Sequence, residues 1–450
     1  MRRLLAAVLF FVTAPVAHAA EPQTCADVEI IATAGTGAAS VYDDPANIVS
    51  FGVGTNFVAH VVERFDNVSA WQTPYPASAG VAGTVGPNKD TVVLPYGKSQ
   101  RIGVERVVGR LSEMAPACPN TKWILVGFSQ GADITGDVTQ LISAGQAPIG
   151  PDRLLAAYLV ADPGRARVLD QDGMTDTGTA GTMTADGAVL VRTSASSPAP
   201  GTVGLAGARP DGAFSNLPGK VRHICAGDDP ACAVTPGGLL AGAAARANAD
   251  PADGYDGHPA TLRSMLIDGS LHRALGPHGV RLLDAVTFGR FQEAEQIFAQ
   301  AAATPGLSPE QAAAITLFGH ELLGTALGVD IPDQSFTGDA AVDRLINIYL
   351  TTNRELRYAS AMSRNHTAYT GESRDSVVRI DGARADDWLE SDMHAVITKE
   401  LGAAQHVAPV PYAERDTWWQ RFGHPQWSAV QFILGSDHPW ARALWDFYGL

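Results

Sequence analysis

The chain has 450 residues, 46% of them apolar, and a formal net charge of −15. That is enough apolar material for one large core or two smaller ones. So acidic a chain excludes tracking of nucleic acid by counterion release, and its charge reads as solubility instead.

At the N-terminus Arg2 and Arg3 precede an apolar run from Leu4 to Val16, and Ala17-His18-Ala19 offers a small-x-small cleavage site. Residues 1–19 therefore read as a secretory signal peptide, which leaves a secreted or envelope-associated mature protein. The run is shorter than the ~20 residues of a spanning helix, and no later stretch reads as a span, so no transmembrane segment is expected after cleavage. The four cysteines, Cys25, Cys118, Cys225 and Cys232, are an even count in an exported chain and predict two disulfides. Four cysteines permit three connectivities. Cys225 and Cys232 are close enough to clip one loop, which leaves Cys25 with Cys118. A zinc site lacks its Cys-x-x-Cys pair, so no metal is expected.

Along the chain, Val28 to Ala32 reads as a strand, followed by a Gly-rich loop at Gly35-Thr36-Gly37. Asn56 to Arg64 and Gln100 to Met114 carry helical periodicity. Trp123 to Val126, Leu154 to Val160 and, more weakly, Val221 to Cys225 are apolar runs of strand length. Strands alternating with helices predict a parallel sheet covered on both faces. Gly, Ser, Thr and Pro between Thr175 and Asn216 predict long loops, with a hairpin at Ala188 to Val191. After about Gly237 strand signals nearly vanish. Helical patterns cover Leu282 to Ala303, Pro309 to Gly324, Ala340 to Met362 and Asp386 to Leu401, and a tail from Tyr412 holds five tryptophans. Those tryptophans read as packing anchors more readily than as a ligand cage.

Gly127-Phe128-Ser129-Gln130-Gly131 follows the apolar run at Trp123 and opens a helical pattern. This is Gly-x-Ser-x-Gly in the strand–turn–helix setting of a nucleophile elbow, which lifts the serine above the strand end. The Gln130 N–H and the helix N-terminus then face a developing oxyanion. Gly52 to Phe57 fails the dinucleotide fingerprint at its third glycine, and there is no P-loop.

Cys118-Pro-Asn-Thr-Lys, running into an apolar strand and then Gly-Phe-Ser-Gln-Gly-Ala, resembles the cutinase-like serine esterases of actinobacteria. Cys25-Ala26-Asp27-Val28 with Ala34 to Gly37, Tyr75-Pro76-Ala77, Asp162-Pro163, and Cys225 through Asp229-Pro230 to Cys232 fit the same family in order. The resemblance spans residues 25 to about 235 and returns at about 365 to 400. It implies the same cysteine pairing and an oxyanion hole from Gln130 and Thr36. Ala34 and Ala38 stand where family members usually carry Arg and often Glu.

A serine nucleophile needs a base and an orienting acid, and in this fold the order is Ser, acid, His. Asp228 and Asp229 lie in the Cys225–Cys232 loop, and the family motif places the acid at Asp229. Two histidines compete for the base. His258 is nearest, in a Gly-rich loop; His366 lies in Asn365-His366-Thr367-Ala368-Tyr369, which contains the family's His-x-x-Tyr. His320 precedes Glu321 on a helical pattern and reads as a packed helix residue. The resemblance favours His366, although more than a hundred residues separate it from Asp229. A helical insertion explains the gap.

The sequence thus predicts an α/β-hydrolase: a cutinase-like central parallel sheet flanked by helices, plus a helical insertion domain. The core covers 20–235, the insertion 236–362 as lid or wall, the return to the core 363–402, and a Trp-rich extension 403–450. Ser129, Asp229 and His366 are the expected triad, with no cofactor, and a lipid or acyl ester as substrate. An envelope acyltransferase with the same triad and a non-catalytic envelope-binding protein are the alternatives. Retention of Ser129, Asp229 and a candidate histidine weighs against the latter.

Overall fold

The computed structural model describes residues 25–49, 57–79, 94, 96–235, 265, 270–279, 281–282, 285, 290–328, 366, 368–369 and 378–402. The first half of the chain alternates strand and helix: β1 (Val28–Thr33), α1 (Phe57–Val62), β2 (Val68–Gln72), α2 (Tyr96–Ala117), β3 (Lys122–Phe128), α3 (Gln130–Ser143) and β4 (Leu154–Val160). Then come β5 (Val168–Met174), β6 (Ala180–Thr184), β7 (Val189–Val191) and β8 (Val221–Ile224). These strands form one eight-stranded sheet in the order β2-β1-β3-β4-β8-β7-β6-β5.

From β2 to β7 every pairing is parallel. The edge departs from the parallel sheet expected, because β5, β6 and β7 pair antiparallel. β5 lies just before the segment read as loop and was not read as a strand, and β6 lies inside that segment. Their sequences, VLDQDGM and AGTMT, have no apolar run, and β5 is largely exposed. An edge strand with solvent on one side needs no continuous apolar signal. β2, which reads VSAWQ, also has no such run, yet pairs with β1 over five residues.

The sheet's period of two sorts its side chains into two cores. Val28, Ile30 and Ala32 of β1, with Ile124 and Val126 of β3, face α1. Ile31, Trp123 and Leu125 point the other way, against Val107 and Leu111 of α2 and Ile134, Val138 and Ile142 of α3.

Beyond residue 235 the described elements are mostly helical: α4 (Ser270–Leu275) with a 3₁₀ turn at Gly276–His278, α5 (Phe291–Ala302) and α6 (Pro309–Gly328). They share an apolar core of their own, including Met265, Ala294, Ile297, Phe298 and Ile315. Ile315 is fully buried in it, and Phe318 meets Phe298 edge-on at 6.1 Å. These two members of the α6 apolar stripe therefore pack helix against helix. The helical pattern read at 340–362 and the Trp-rich tail lie outside the described residues.

The two-residue strands β9 (Arg379–Ile380) and β10 (Ala383–Arg384) lead into α7 (Ala385–Leu401). α7 ends at Gly402, whose φ of 80° is the left-handed cap that glycine adopts without strain. Trp388, Leu389, Met393, Val396 and Ile397 place α7 in the same core as α1. Among the described residues no helix is long and apolar enough to cross a membrane.

Buried charge fastens α7 to the sheet. The Asp392 carboxylate lies 2.8 Å from Arg222 Nε on β8 and accepts the Tyr158 hydroxyl of β4 at 2.7 Å. The Arg222 guanidinium stacks 5.0 Å over the Tyr158 ring. Removing one partner of a buried pair leaves the other charge uncompensated. Asp392→Ala is expected to lower stability by about 3–5 kcal/mol in urea unfolding. A loss no larger than that of a control at the exposed Glu400, Glu400→Ala, would show that the tie contributes little.

Candidate active site

β3 runs buried to Phe128, and α3 starts at Gln130, so Ser129 alone makes the turn between them. Its φ of 54° and ψ of −126° lie where a non-glycine residue is strained, by about 1–3 kcal/mol. Three hydrogen bonds hold it. Ser129 N–H donates to Val160 O at 2.9 Å, and Ser129 O accepts from Ala132 N and Asp133 N at 2.8 and 3.1 Å.

The motif's glycines are explained by close approach. A Cβ on Gly127 would stand 2.1 Å from Gly131 O, and one on Gly131 would stand 2.1 Å from Thr33 O at the end of β1. The first turn of α3 thus passes directly over two strand ends. A Cβ on Gly35 would meet Phe128 Cδ1 at 2.9 Å and Ser129 Cβ at 3.3 Å. The Gly35-Thr36-Gly37 loop is therefore seated against the serine. It is tied by Gly37 N–H to Ala77 O at 2.7 Å and by Tyr75 OH to Ala34 O at 2.6 Å.

Gln130 is wholly buried. Its side-chain amide donates to Ser78 O at 3.0 Å and Tyr96 O at 3.3 Å. The side chain is thereby committed to the core. What Gln130 offers at the serine is its main-chain N–H, which as a first-turn donor has no acceptor within its own helix. Thr36 is half-buried in the adjoining turn.

The two disulfides join Cys25 to Cys118 and Cys225 to Cys232. The first holds the start of β1 to the end of α2; the second closes the loop after β8. Inside that loop Asp229 is completely buried. Its carboxylate accepts Ala231 N–H at 3.0 Å and Tyr369 OH at 2.9 Å. His366 Nδ1 lies 3.0 and 3.1 Å from its two oxygens. The His366 ring rests on the ring of Phe128, centroids 4.9 Å apart. So the structure brings His366, Asp229 and the residue preceding Ser129 into one cluster. His258 lies outside the described residues, and the side chain of His320 is likewise not described.

Two features of this cluster had no role in the sequence reading. Tyr369 is one, although its signal was present as the last residue of His-x-x-Tyr. The other is a buried charge network behind the serine. Arg209 binds Asp162 at 2.5 Å, Asp133 at 2.9 Å and Asp137 at 3.0 Å. His223 stands between Asp186, 3.0 Å from Nε2, and Asp162, 3.4 Å from Nδ1. Arg165 donates to Cys232 O at 2.6 Å and so braces the acid loop. No local sequence signal marks these partners, because they meet only in the folded chain.

The parallel sheet with its strained serine turn defines an α/β-hydrolase. Residues 24–243 match the cutinase family model, and this part of the chain is cutinase-like. A carboxylesterase Culp6 homolog from Corynebacterium glutamicum is 33% identical over 148 residues, 32% of this chain. The chain spans 45% of that relative's length. Among solved structures, the catalytic core domain of acetyl xylan esterase from Trichoderma reesei matches 52% of this chain and 93% of its own, at 19% identity and a TM-score of 0.31. Lysin B from mycobacteriophage D29 matches 82% of this chain and 99% of its own, at 13% identity and a TM-score of 0.35. At TM-scores this low neither likeness bears on the chemistry.

Burial, and Asp137 alongside, push the Asp133 carboxyl up to about 8 against the pull of Arg209. The folded state therefore holds a proton that the unfolded chain releases near its ordinary pKa of about 4. Stability from this group is full below that value and is lost as pH rises through about 8. Asp133→Asn removes the titration. Urea midpoints between about pH 5 and 9 should fall more steeply for the wild type than for the variant. Parallel profiles would show that Asp133 is ionised throughout.

Proposed function

We propose that this chain is an exported carboxylic ester hydrolase working through Ser129, His366 and Asp229. The observation that carries the reading is the contact of His366 Nδ1 with Asp229 while its ring lies on Phe128, across 137 residues of sequence. A histidine held on one nitrogen by a buried carboxylate presents the other as a base. In this reading His366 Nε2 takes the proton as Ser129 Oγ attacks the ester carbonyl. The tetrahedral oxyanion meets Gln130 N–H and Thr36. Collapse expels the alcohol, which takes the proton from His366, and leaves an acyl-Ser129. Water, deprotonated by His366, then releases the acid. Two disulfides fit an oxidising compartment, as the leader at 1–19 implies.

Ser129→Ala should reduce hydrolysis of short p-nitrophenyl esters by several orders of magnitude, and a serine-directed phosphonate should label Ser129 alone. His366→Ala should nearly abolish turnover, whereas His258→Ala should leave most of it. Undiminished turnover in the Ser129 variant would end the reading. A dead His258 variant beside a live His366 variant would move the base to His258.

The segment 236–362 is proposed as an insertion beside the site. Asp229 and His366 touch, so the chain leaves and re-enters the core at nearly one place. In this reading both ends of the segment would lie at the rim of the proposed site, where a lid or wall would select acyl length. Replacing residues 240–360 by a short linker should keep short-ester activity and change chain-length preference. An unaltered preference in a folded, active variant would show that the segment stands aside.

A further inference from the structure

Tyr369 follows His366 by three residues, and the chain turns so that both side chains reach the same carboxylate. The tyrosine is 1% exposed. Its oxygen accepts the Ala226 N–H at 2.8 Å, and its ring meets Phe128 at 6.3 Å in an edge contact. The Cys232 sulfur lies 3.7 Å from the hydroxyl. A phenol has one proton to give. With Ala226 fixed as a donor to the oxygen and a disulfide sulfur a weak acceptor, that proton goes to Asp229 Oδ2, 2.9 Å away.

We propose that Tyr369 is a positioning residue for the Asp229–His366 pair: its hydroxyl fixes the carboxylate toward His366 and sets the pH at which the base becomes active. The inference rests on the triad reading above. Ala231 N–H holds Oδ1 and Tyr369 holds Oδ2, so the carboxylate plane cannot rotate away from the imidazole. Burial, and then Asp229 itself, raise the phenol well above its ordinary range, so it remains a donor wherever the enzyme works. The other charges facing this group are Asp228 in the same loop and Arg165, which binds Cys232 O. Both are unchanged in the variants below.

Removing the hydroxyl leaves a buried carboxylate with one donor fewer, and its charge is then better met by a protonated imidazole. Tyr369→Phe should therefore shift the acid limb of kcat/KM for a short p-nitrophenyl ester upward by about 0.5–1 pH unit. kcat should fall by about tenfold with KM changed less than about twofold. Replacing Tyr369 by 3,5-difluorotyrosine through codon suppression keeps the shape and strengthens the donor, so the acid limb should move downward. A merely structural role does not predict opposite signs. An acid limb unmoved in both variants, or moved the same way in both, would overturn the proposal. If the phenylalanine variant does not fold, an unmoved or upward limb in the fluorinated protein overturns it alone. Ser129→Ala and His366→Ala are assayed beside them. Activity retained there overturns the triad reading and this inference together, whereas activity lost there with an unmoved limb overturns only the role of Tyr369.

Discussion

The fold turns on the absence of space between the first turn of α3 and the strand ends beneath it. No Cβ fits at Gly127 or Gly131, and the chain between them must pass through a strained residue. That strain, of about 1–3 kcal/mol, persists only where its surroundings over-determine it. The surroundings do so twice. Ser129 N–H is bound to Val160 at the end of β4. Arg209 then ties the same two elements again, through Asp133 and Asp137 on α3 and Asp162 just past β4. Hydrogen bonds to charged groups contribute about 1.5–3 kcal/mol each, enough to offset the strained turn. The charge network is therefore part of what keeps the serine raised.

The acid and the base are fixed by a different route. Asp229 sits on a disulfide-closed loop braced by Arg165. Among the described residues His366 is held by Asp229 and by a chain of hydrogen bonds to α7. Val378 N–H donates to Ala368 O at 3.1 Å, and Ala385 N–H donates to Val378 O at 3.0 Å, so hydrogen bonds run from the His366 segment to the first residue of α7. Ser194 and Arg379 exchange two more, fastening the path to the loop after β7. α7 in turn is held by Asp392 to Arg222 and Tyr158 in the sheet. The proposed base is thus positioned by a helix almost twenty residues away, which is itself held by a buried ion pair to β8 and a hydrogen bond to β4.

What the sequence made legible follows the range of the interactions. The buried strands β3 and β4 carry continuous apolar runs because both sheet faces are covered, and β1 does so apart from Glu29, whose carboxylate is paired with Arg110. The serine turn is legible because its constraint is local: strand, two glycines and helix within about ten residues. β5 was not read as a strand, and β6 was read as loop, because neither carries such a run. His366 was chosen over His258 by resemblance alone, since nothing in periodicity distinguishes a histidine that will meet Asp229. Tyr369, Arg209, His223 and Arg165 were given no role for a related reason. Buried polar side chains are tolerable only with partners, and their partners here lie 37 to 143 residues away.

The 137 residues between acid and base also test whether so long an interruption is compatible with a precise site. Loop-closure entropy grows only logarithmically with length. Relative to a connection of ~17 residues, this one is about three doublings longer, which costs roughly 2 kcal/mol. That is an upper figure, because α5 and α6 pack on a core of their own and shorten the effective loop. Buried ties at Asp392 and at Glu390, where Arg64 just after α1 meets α7, fix the return of the chain, and removing one partner of either would cost about 3–5 kcal/mol, more than this closure term. Since the ties lie on the sheet side of His366, they hold the return of the chain whatever the intervening segment does. A site closed as proposed above would accommodate a long intervening segment without disturbing the strained serine or the buried carboxylate.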